Sequence, residues 1–456
     1  MDLAYEHFVS GFQQAVAESS FAERRIGAEL KFPLVCRDGR AVKYETVRAL
    51  WEYLHERDWQ FIKDGMTGEI VGAKKPGEHN DTVASCETGY CTAEFSLAHV
   101  ADLFELERSI RELQGELRPF AEQHDVHFLG CGIQPVTRPS RELLMKQART
   151  SVWKKVLRPT RGASKEKGRD VSLFTINAAT HVHVSVTMNE VIPALNVLNG
   201  FSGAQIALTA NSNIWLGGLD PNYRCVAEKF WDWWMPDSDR VGVPKKPFKG
   251  LKDYVRAITS LRPVFVKRAG KPIVLRRYRT FREFYGDGRA VGVDTEGREV
   301  SFVPKKADLA LHNSCYWYTA RLSRYFTVEN RVNDQQPPED MLCVPALTVG
   351  LVSVMREAEE ELSRFDWDDL RAARDAACRD AIHGSTSTFT LSELAETMLR
   401  LATLGLRRRG LGEEMFIAPL WKRFHERTCP ADDAARLFED GGIEALVAER
   451  AFCALA

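Results

Sequence analysis

This sequence of 456 residues lacks several features that identify membrane, secreted or nucleic-acid-binding proteins. No apolar run approaches the roughly 20 residues that a helix needs to cross a bilayer. Its 62 basic residues are balanced by 63 acidic ones, so the overall charge gives no reason to expect a nucleic-acid or membrane partner. The ten cysteines include no CxxC pair, and the acidic N-terminus does not resemble a signal peptide. We therefore expect a cytoplasmic protein with free thiols.

The sequence does contain alternating and helical periodicity, without any internal repeat or low-complexity tract. Strand-like segments and helices mix over most of the chain, and from about residue 345 to the end the apolar residues follow a helical period. This order predicts an α+β fold, with strands in the body and a helical C-terminal region. Residues 158–170, which are basic, small and without periodicity, are predicted to form a mobile surface loop.

The clearest strand signal contains two histidines. In the segment 178–188, His181 and His183 alternate with Val182 and Val184. Alternation with a period of two predicts a β-strand with one apolar and one polar face. If the polar face lines a cavity, its imidazoles are candidates for metal ligands or acid–base groups.

Two further predicted strands carry charged side chains on one face. Glu29 and Lys31 are two positions apart, and so are Glu329 and Arg331, which are followed by Asn333 at the same spacing. Because successive side chains of a strand point to opposite faces, each of these sets is predicted to share a face. The polar face of an ordinary solvent-exposed strand would not need glutamate, lysine and arginine side chains together, so these residues are predicted to line a cavity.

A fourth segment contains Glu87 and Glu94, which are separated by an odd number of positions. On one continuous strand they would point to opposite faces. Gly89, which follows Thr88, offers a turn or bulge that would let both carboxylates converge on one side.

If these four polar faces meet, they form a cavity of carboxylates, imidazoles and an arginine. Carboxylates at that density would not all ionise near pH 7 without a cation between them. Oxygen ligands in that number suit Mg²⁺ or Mn²⁺, and an imidazole is tolerated. An arginine beside such a cluster suits a phosphate. The combination predicts metal-bound nucleotide chemistry.

The same segments, in this order, resemble the glutamate–cysteine ligase family, in its plant and proteobacterial branch and its bacterial carboxylate–amine ligase relatives. The resemblance extends from about residue 20 to about residue 425. There the corresponding motifs look like GxExE, ExGGxxE, a VHV strand, ANSPF and ExRxxD. The matching segments here are IGAELKF, SCETGYCTAEFSLAHV, THVHVSV, ANSNIW with the downstream WWMPDSDRVG, and VENRVND.

The resemblance implies a fold related to glutamine synthetase, in which a curved antiparallel sheet forms the active-site cavity and helices pack outside it. It implies a catalytic region over residues 1–360 and a helical C-terminal region over 361–456 packed on it. The implied reaction uses ATP and Mg²⁺, or Mn²⁺, to join a glutamate-like acid to cysteine or another amine through an acyl phosphate. The partners would be small molecules, not nucleic acid or membrane, and a homo-oligomer is left open.

The resemblance also implies roles for individual residues. One histidine, which we assign as His181, would bind metal, and the other would contact nucleotide or substrate. Arg331 would neutralise charge on the transferred phosphoryl group. The implied metal ligands are Glu29, Glu87, Glu94, His181 and Glu329. The implied substrate or nucleotide contacts are His183, Asn211, Ser212, Arg224 and Arg240.

The sequence departs from the family pattern at three places. Lys31 stands where the family usually has a second acidic residue, and it shares a strand face with Glu29. If Lys31 is a catalytic group, its charge would take the place of one bound metal ion, or it would contact a phosphate directly. In the alternative interpretation, Lys31 removes one metal site and with it normal catalysis. Tyr90 replaces the second glycine of the paired-glycine turn, and Asn213 replaces the proline after ANS. These changes predict a divergent member.

Two other classes of function remain open. The first is a non-catalytic relative that binds nucleotide or amino acid without joining them, which Lys31 suggests. The second is a zinc hydrolase that uses His181 and His183 with Cys86 or Cys91, since zinc favours nitrogen and sulfur ligands. The carboxylates outnumber the imidazoles, which favours the ligase.

Overall fold

The computed structural model describes residues 2–18, 24–77, 80–147, 150, 152, 171–235 and 239–454. The predicted loop at 158–170 therefore lies outside the described residues. Within them, no single helix is long and apolar enough to cross a membrane, although two bent helix pairs would meet the criteria of length and composition together.

The strands in the described residues are short apart from the first. In chain order they are β1 Ile26–Val35, β2 Gln60–Lys63, β3 Ile70–Lys75, β4 Thr82–Cys86, β5 Thr92–Ser96, β6 His127–Phe128, β7 Thr180–Ser185, β8 Ile214–Trp215, β9 Gly218–Leu219, β10 Val241–Gly242, β11 Phe265–Arg268, β12 Lys271–Val274, β13 Ala290–Val293, β14 Glu299–Phe302, β15 Trp317–Tyr318, β16 Ala320–Leu322 and β17 Thr327–Asn333.

The helices become more frequent towards the C-terminus. In chain order they are α1 Asp2–Glu18, α2 Tyr44–His55, α3 Leu103–His124, α4 Val191–Gly200, α5 Ser202–Thr209, α6 Val226–Trp234, α7 Leu251–Ser260, α8 Phe281–Gly286, α9 Ala307–Asn313, α10 Cys343–Ser353, α11 Met355–Leu362, α12 Trp367–Asp380, α13 Leu391–Arg409, α14 Ala418–Glu426 and α15 Pro430–Glu449.

A nine-stranded sheet organises the described part of the chain. Its order is β16-β17-β7-β1-β5-β4-β3-β2, and β6 pairs with the end of β1. The neighbouring strands in this sheet are antiparallel. The predicted α+β class with a large antiparallel sheet is therefore confirmed, and β1 and β7 lie near the middle of the sheet.

One face of this sheet packs on the main hydrophobic core. Leu30 and Phe32 of β1 and Val182 and Val184 of β7 are fully buried there. The alternating pattern explains this arrangement, because every second side chain of each strand points to the same face. The charged residues between them must then lie on the opposite face.

Apolar helices cover the core side of the sheet. All ten residues of α4 are buried, as are the residues of α10 from Cys343 to Val352. Helices α10 and α13 cross closely at Gly350 and Gly405, where a Cβ on Gly405 would overlap the carbonyl oxygen of Gly350. This close packing supports β7 and β1 from behind and leaves their polar face free to line a site.

Candidate active site

The strand register brings the predicted polar residues together on one face. Glu29 of β1 lies opposite His181 of β7, and Lys31 lies opposite Glu94 of β5. On the other side of β7, His183 lies opposite Glu329 of β17. Directly opposed residues of antiparallel strands have Cβ atoms about 4.5–5.5 Å apart. The structure therefore meets the condition that the sequence left open, that these polar faces come together.

The turn around Gly89 also forms as predicted. The Glu87 amide donates to the Thr92 carbonyl oxygen at 3.1 Å, and the Thr92 amide reaches the Gly89 carbonyl oxygen at 3.4 Å. A Cβ on Gly89 would overlap the carbonyl oxygen of Thr175, so this position requires glycine. The turn lets Glu87 and Glu94 point to the same side, where both contact the Lys31 ammonium.

One carboxylate connects the two histidines. His181 Nδ1 lies 2.9 Å from Glu29 Oε2, and His183 Nε2 lies 3.1 Å from Glu29 Oε1. The second ring nitrogen of His183, Nδ1, lies 2.8 Å from Thr327 Oγ1. These contacts fix the orientation of both rings.

The two imidazoles differ in their protonation. Burial lowers the pKa of His181 to about 4, and the positive charges of Lys31 and Arg331 act in the same direction. Burial also opposes a charge on His183, but its hydrogen bond to Glu29 and the Glu329 charge raise its pKa above the usual value. His181 is therefore neutral at pH 7, whereas the pKa of His183 is shifted in the opposite direction.

Two guanidinium groups hold Glu329. The Arg321 Nε donates to Glu329 Oε2 at 2.7 Å, and Arg331 donates to the other oxygen. The Glu329 side chain is only 3% exposed. Burial disfavours its ionisation, yet the two guanidinium charges keep its pKa well below the usual range. Glu329 is therefore ionised at any pH near neutrality.

Arg321 was not identified from the sequence. It lies on β16 directly opposite Glu329 of β17, so its signal is a cross-strand pairing and not a motif. Residues 323–326 connect the two strands, and reading them as a hairpin turn would have identified the pair.

Glu29, His183 and Glu329 form a candidate metal site. Each offers a ligand atom, and these three atoms lie within 4.8 Å of one another. Two carboxylates and an imidazole suit Mg²⁺ or Mn²⁺. The group contains His183 and not His181, so the geometry favours His183 as the imidazole ligand, the reverse of our assignment from the resemblance.

Lys31 occupies the position between the remaining carboxylates. Its Nζ lies 3.2 Å from Glu94 Oε2 and 3.5 Å from Glu29 Oε2, and it donates to Glu87. Its side chain is 4% exposed. Lys31 therefore pairs with Glu87 and Glu94, and neither carboxylate belongs to the metal-ligand group found in the described residues, so their metal-ligand roles stay predictions.

The carboxylates around Lys31 do not share the same charge state. Burial and the neighbouring acidic groups raise the pKa of Glu94 to about 8, against the opposing effect of Lys31. Burial also disfavours a charge on Glu87, but Lys31 lowers the pKa of Glu87 to about 2. At pH 7 Glu94 is thus largely protonated while Glu87 is ionised. This agrees with the expectation that crowded carboxylates cannot all ionise.

The structure places Asn211 and Ser212 outside the described cluster. The Asn211 Nδ2 donates to the carbonyl oxygens of Gly130 and Gln335, each at 2.8 Å. The Ser212 Oγ donates to Asp334 at 2.8 Å. Both side chains are buried, and these contacts hold the loop in place. The structure does not bring either residue to the described cluster, and their substrate-binding role stays a prediction.

Arg224 and Arg240 are likewise not brought to the described cluster. Arg224 Nε donates to Asp432 at 2.9 Å, and its side chain is half-exposed. The Arg240 guanidinium is buried and donates to the carbonyl oxygens of Cys315 and Arg262. These bonds stabilise the backbone around β10 and β15, so the expected phosphate or carboxylate contact of Arg240 is not supported.

The predicted polar face of β17 also ends earlier than expected. The pairing with β7 shifts between Asn330 and Asn333. The Nδ2 atoms of both asparagines donate to Gln205 Oε1, at 2.7 and 3.1 Å respectively. Asn333 therefore points to the helix side of the sheet, and its predicted position beside Glu329 and Arg331 was wrong because an irregularity changes the alternation.

The cysteines do not support a zinc site. Cys91 is fully buried and its Sγ donates to the Thr175 carbonyl oxygen at 3.4 Å. Burial raises the pKa of Cys91 to about 12 and that of Cys86 well above its usual value. A thiol must lose its proton to bind zinc, and neither sulfur belongs to the metal-ligand group found in the described residues.

A sheet face that combines a group of candidate metal ligands with paired arginines has side chains of the kinds that contact metal ions and phosphates in phosphoryl-transfer enzymes. The family model of glutamate–cysteine ligase family 2 matches residues 25–449. The chain belongs to this family, and thus to the ATP-dependent ligases that form carbon–nitrogen bonds. The chloroplastic glutamate–cysteine ligase of Medicago truncatula is 27% identical over 428 residues, which cover 91% of this chain and 78% of the relative.

Two solved structures show the same fold. The glutamate–cysteine ligase of Francisella tularensis, solved in complex with AMP, matches with a TM-score of 0.50 at 10% identity, over 93% of this chain and 86% of that chain. A bifunctional glutathione synthetase from Pasteurella multocida matches with a TM-score of 0.53 at 10% identity, over 97% of this chain and 53% of that chain. At this identity the likeness concerns the fold alone.

Proposed function

We propose that the protein joins a glutamate-like acid to cysteine or another amine, with ATP and Mg²⁺ or Mn²⁺, through an acyl-phosphate intermediate. The observation that carries the proposal is the Glu29–His183–Glu329 group beside Arg321 and Arg331 on one polar sheet face. A cytoplasmic location and small-molecule partners, expected from the sequence, belong to the same proposal.

Glu29, His183 and Glu329 would hold the metal ion. A bound divalent ion would neutralise charge on the phosphate oxygens of ATP. The ligand set supports this role because Glu29 and Glu329 are both ionised: burial opposes ionisation of Glu29, but Lys31 and the two histidines keep its pKa well below the usual range. Thr327 fixes His183 through the second ring nitrogen, and a hydrogen bond at that nitrogen orients an imidazole ligand.

The arginines would stabilise the transferred phosphoryl group. The side chain of Arg331 is 13% exposed and that of Arg321 is 16% exposed. Both charges are therefore little screened by solvent, and both guanidinium groups still reach the surface of the site. A guanidinium has five N–H donors, and Glu329 accepts only some of them. In phosphoryl transfer the protein contributes mainly position and charge. Attack of the acid carboxylate on the γ-phosphorus breaks the bond to the β,γ-bridging oxygen, which releases ADP and forms the acyl phosphate. Attack of the amine on the carbonyl carbon, with loss of a proton from nitrogen, then forms the amide and releases phosphate.

The direct test is phosphate release by the purified protein with Mg²⁺ and ATP over a panel of amino acids, singly and in pairs. We expect release that requires one acid together with one amine. Glu329→Gln should reduce the rate strongly because it removes a metal ligand and the partner of both arginines. Glu299→Gln is the matched control, since Glu299 is also a strand glutamate paired with an arginine but lies on β14.

A second candidate function is binding of nucleotide without ligation. It is favoured by Lys31, which fills a position between carboxylates that could otherwise hold a metal. Tight ATP binding in calorimetry with no product from any acid–amine pair would support this alternative. Product formation from even one pair would exclude it.

A further inference from the structure

The Lys31 ammonium is the central cation of a three-carboxylate group. Glu29, Glu87 and Glu94 come from β1, from the turn after β4 and from β5, and all three contact the same nitrogen. The Lys31 backbone amide donates to Gln335 Oε1 at 2.8 Å, which fixes the strand at this residue. The side chain is thus held at both its base and its tip.

Without the ammonium, three carboxyl groups around one position would suit a divalent cation. Three carboxylates from separate elements surround a single buried position, and hard cations are bound by such oxygen groups. An ammonium is also a compact point charge with three donors, so it can satisfy three carboxylates. The candidate metal group Glu29–His183–Glu329 shares only Glu29 with it, so the two cation positions are adjacent but distinct.

We propose that Lys31 replaces a divalent cation at this position, so that the protein binds one metal ion, at Glu29–His183–Glu329, beside a covalently fixed positive charge. The inference rests on the proposed function for the role of the first ion. The fixed charge cannot dissociate, so its presence does not depend on the concentration of metal. An acidic residue at position 31 would instead give four carboxylates and leave room for a second ion.

The test counts bound ions and does not require turnover. Each protein is dialysed against Mn²⁺ with a saturating non-hydrolysable ATP analogue, and the excess Mn²⁺ per chain is measured. We expect one ion in the natural protein and two in Lys31→Glu. Lys229→Gln is the matched control, because Lys229 is also buried and bonded to two carboxylates, those of Asp232 and Asp375, but lies on α6; its count should stay at one.

Equal counts in the natural protein and a folded Lys31→Glu variant would overturn the proposal, and so would a natural protein that binds none or two. If the variant fails to fold by circular dichroism, Glu87→Gln decides the question. This change should leave the ion count and Mn²⁺ affinity of the natural protein unchanged within about twofold, whereas loss of an ion would refute the replacement.

The ion count also separates this inference from the ligase proposal. A protein that binds one ion but forms no amide would support the replacement by Lys31 and contradict the proposed reaction. A protein that forms the amide with two ions bound would support the proposed reaction and contradict the replacement by Lys31.

Discussion

Replacing Arg321 with methionine tests whether this guanidinium acts on the phosphoryl group. Arg321 donates two hydrogen bonds to Glu329, at 2.7 and 3.5 Å, and one to the Tyr316 carbonyl oxygen at 2.9 Å. The replacement keeps a long side chain but removes the charge. Since Glu94 is largely protonated at pH 7, the natural site balances three carboxylates against three cations. The ionised carboxylates are Glu29, Glu87 and Glu329, and the cations are Lys31, Arg321 and Arg331.

The expected size of the effect follows from one charged hydrogen bond to the transferred group. Such a bond contributes about 1.5–3 kcal/mol, which corresponds to about 10- to 150-fold in rate because each 1.36 kcal/mol is tenfold. We therefore expect kcat for Arg321→Met to fall by that factor in the phosphate-release assay. Mn²⁺ affinity should be kept or increased, because Glu329 loses a competing cation while the metal ligands remain.

Arg277→Met is the control, since Arg277 is also paired with a strand glutamate but is 60% exposed on the surface. It should leave kcat unchanged. An unchanged kcat in Arg321→Met would refute the phosphate role. Loss of Mn²⁺ binding in a folded Arg321→Met protein would show that Arg321 supports the metal site instead.

Two further predictions concern stability. Burial raises the pKa of Glu94 from 4.5 to about 8, so between these pH values the folded protein keeps a proton that the unfolded chain releases. The contribution of Glu94 to the free energy of unfolding should therefore be lost as the pH rises from about 4.5 to about 8. Glu94→Gln should remove that contribution in urea unfolding curves, and an unchanged pH profile would contradict the shift. Gly405→Ala should destabilise the protein by about 3 kcal/mol because its Cβ would overlap Gly350. Gly115 lies at an exposed helix position with open space around it, so Gly115→Ala should stabilise the protein by about 0.5–1 kcal/mol. Equal effects at both glycines would contradict the packing argument.

The parts of the site that the sequence predicted are those set by local geometry. Alternation placed His181 and His183 on one face, and likewise Glu29 and Lys31, because side-chain direction along a strand depends only on spacing. The turn at Gly89 was predictable because glycine is frequent in turns and bulges, whereas the close approach of the Thr175 carbonyl oxygen, which requires glycine here, was not.

The parts that the sequence could not predict depend on pairing between distant segments. The register irregularity that turns Asn333 away from Glu329 has no signal in its own strand. Asn211 and Arg240 lie outside the cluster, where the Asn211 Nδ2 and the Arg240 guanidinium donate to backbone carbonyl oxygens, and only the tertiary structure reveals these contacts. Lys31 was recognised as a departure, but its central place among three carboxylates required the strand order.

The proposed reaction activates a carboxylate by phosphorylation and then forms an amide. The decisive experiment uses an acid whose reacting carboxylate carries ¹⁸O, incubated with ATP, Mg²⁺ and the amine that supports phosphate release. Mass spectrometry should find one ¹⁸O transferred to the released phosphate for each amide formed. Amide formed with unlabelled phosphate, or phosphate released without any amide, would contradict the account.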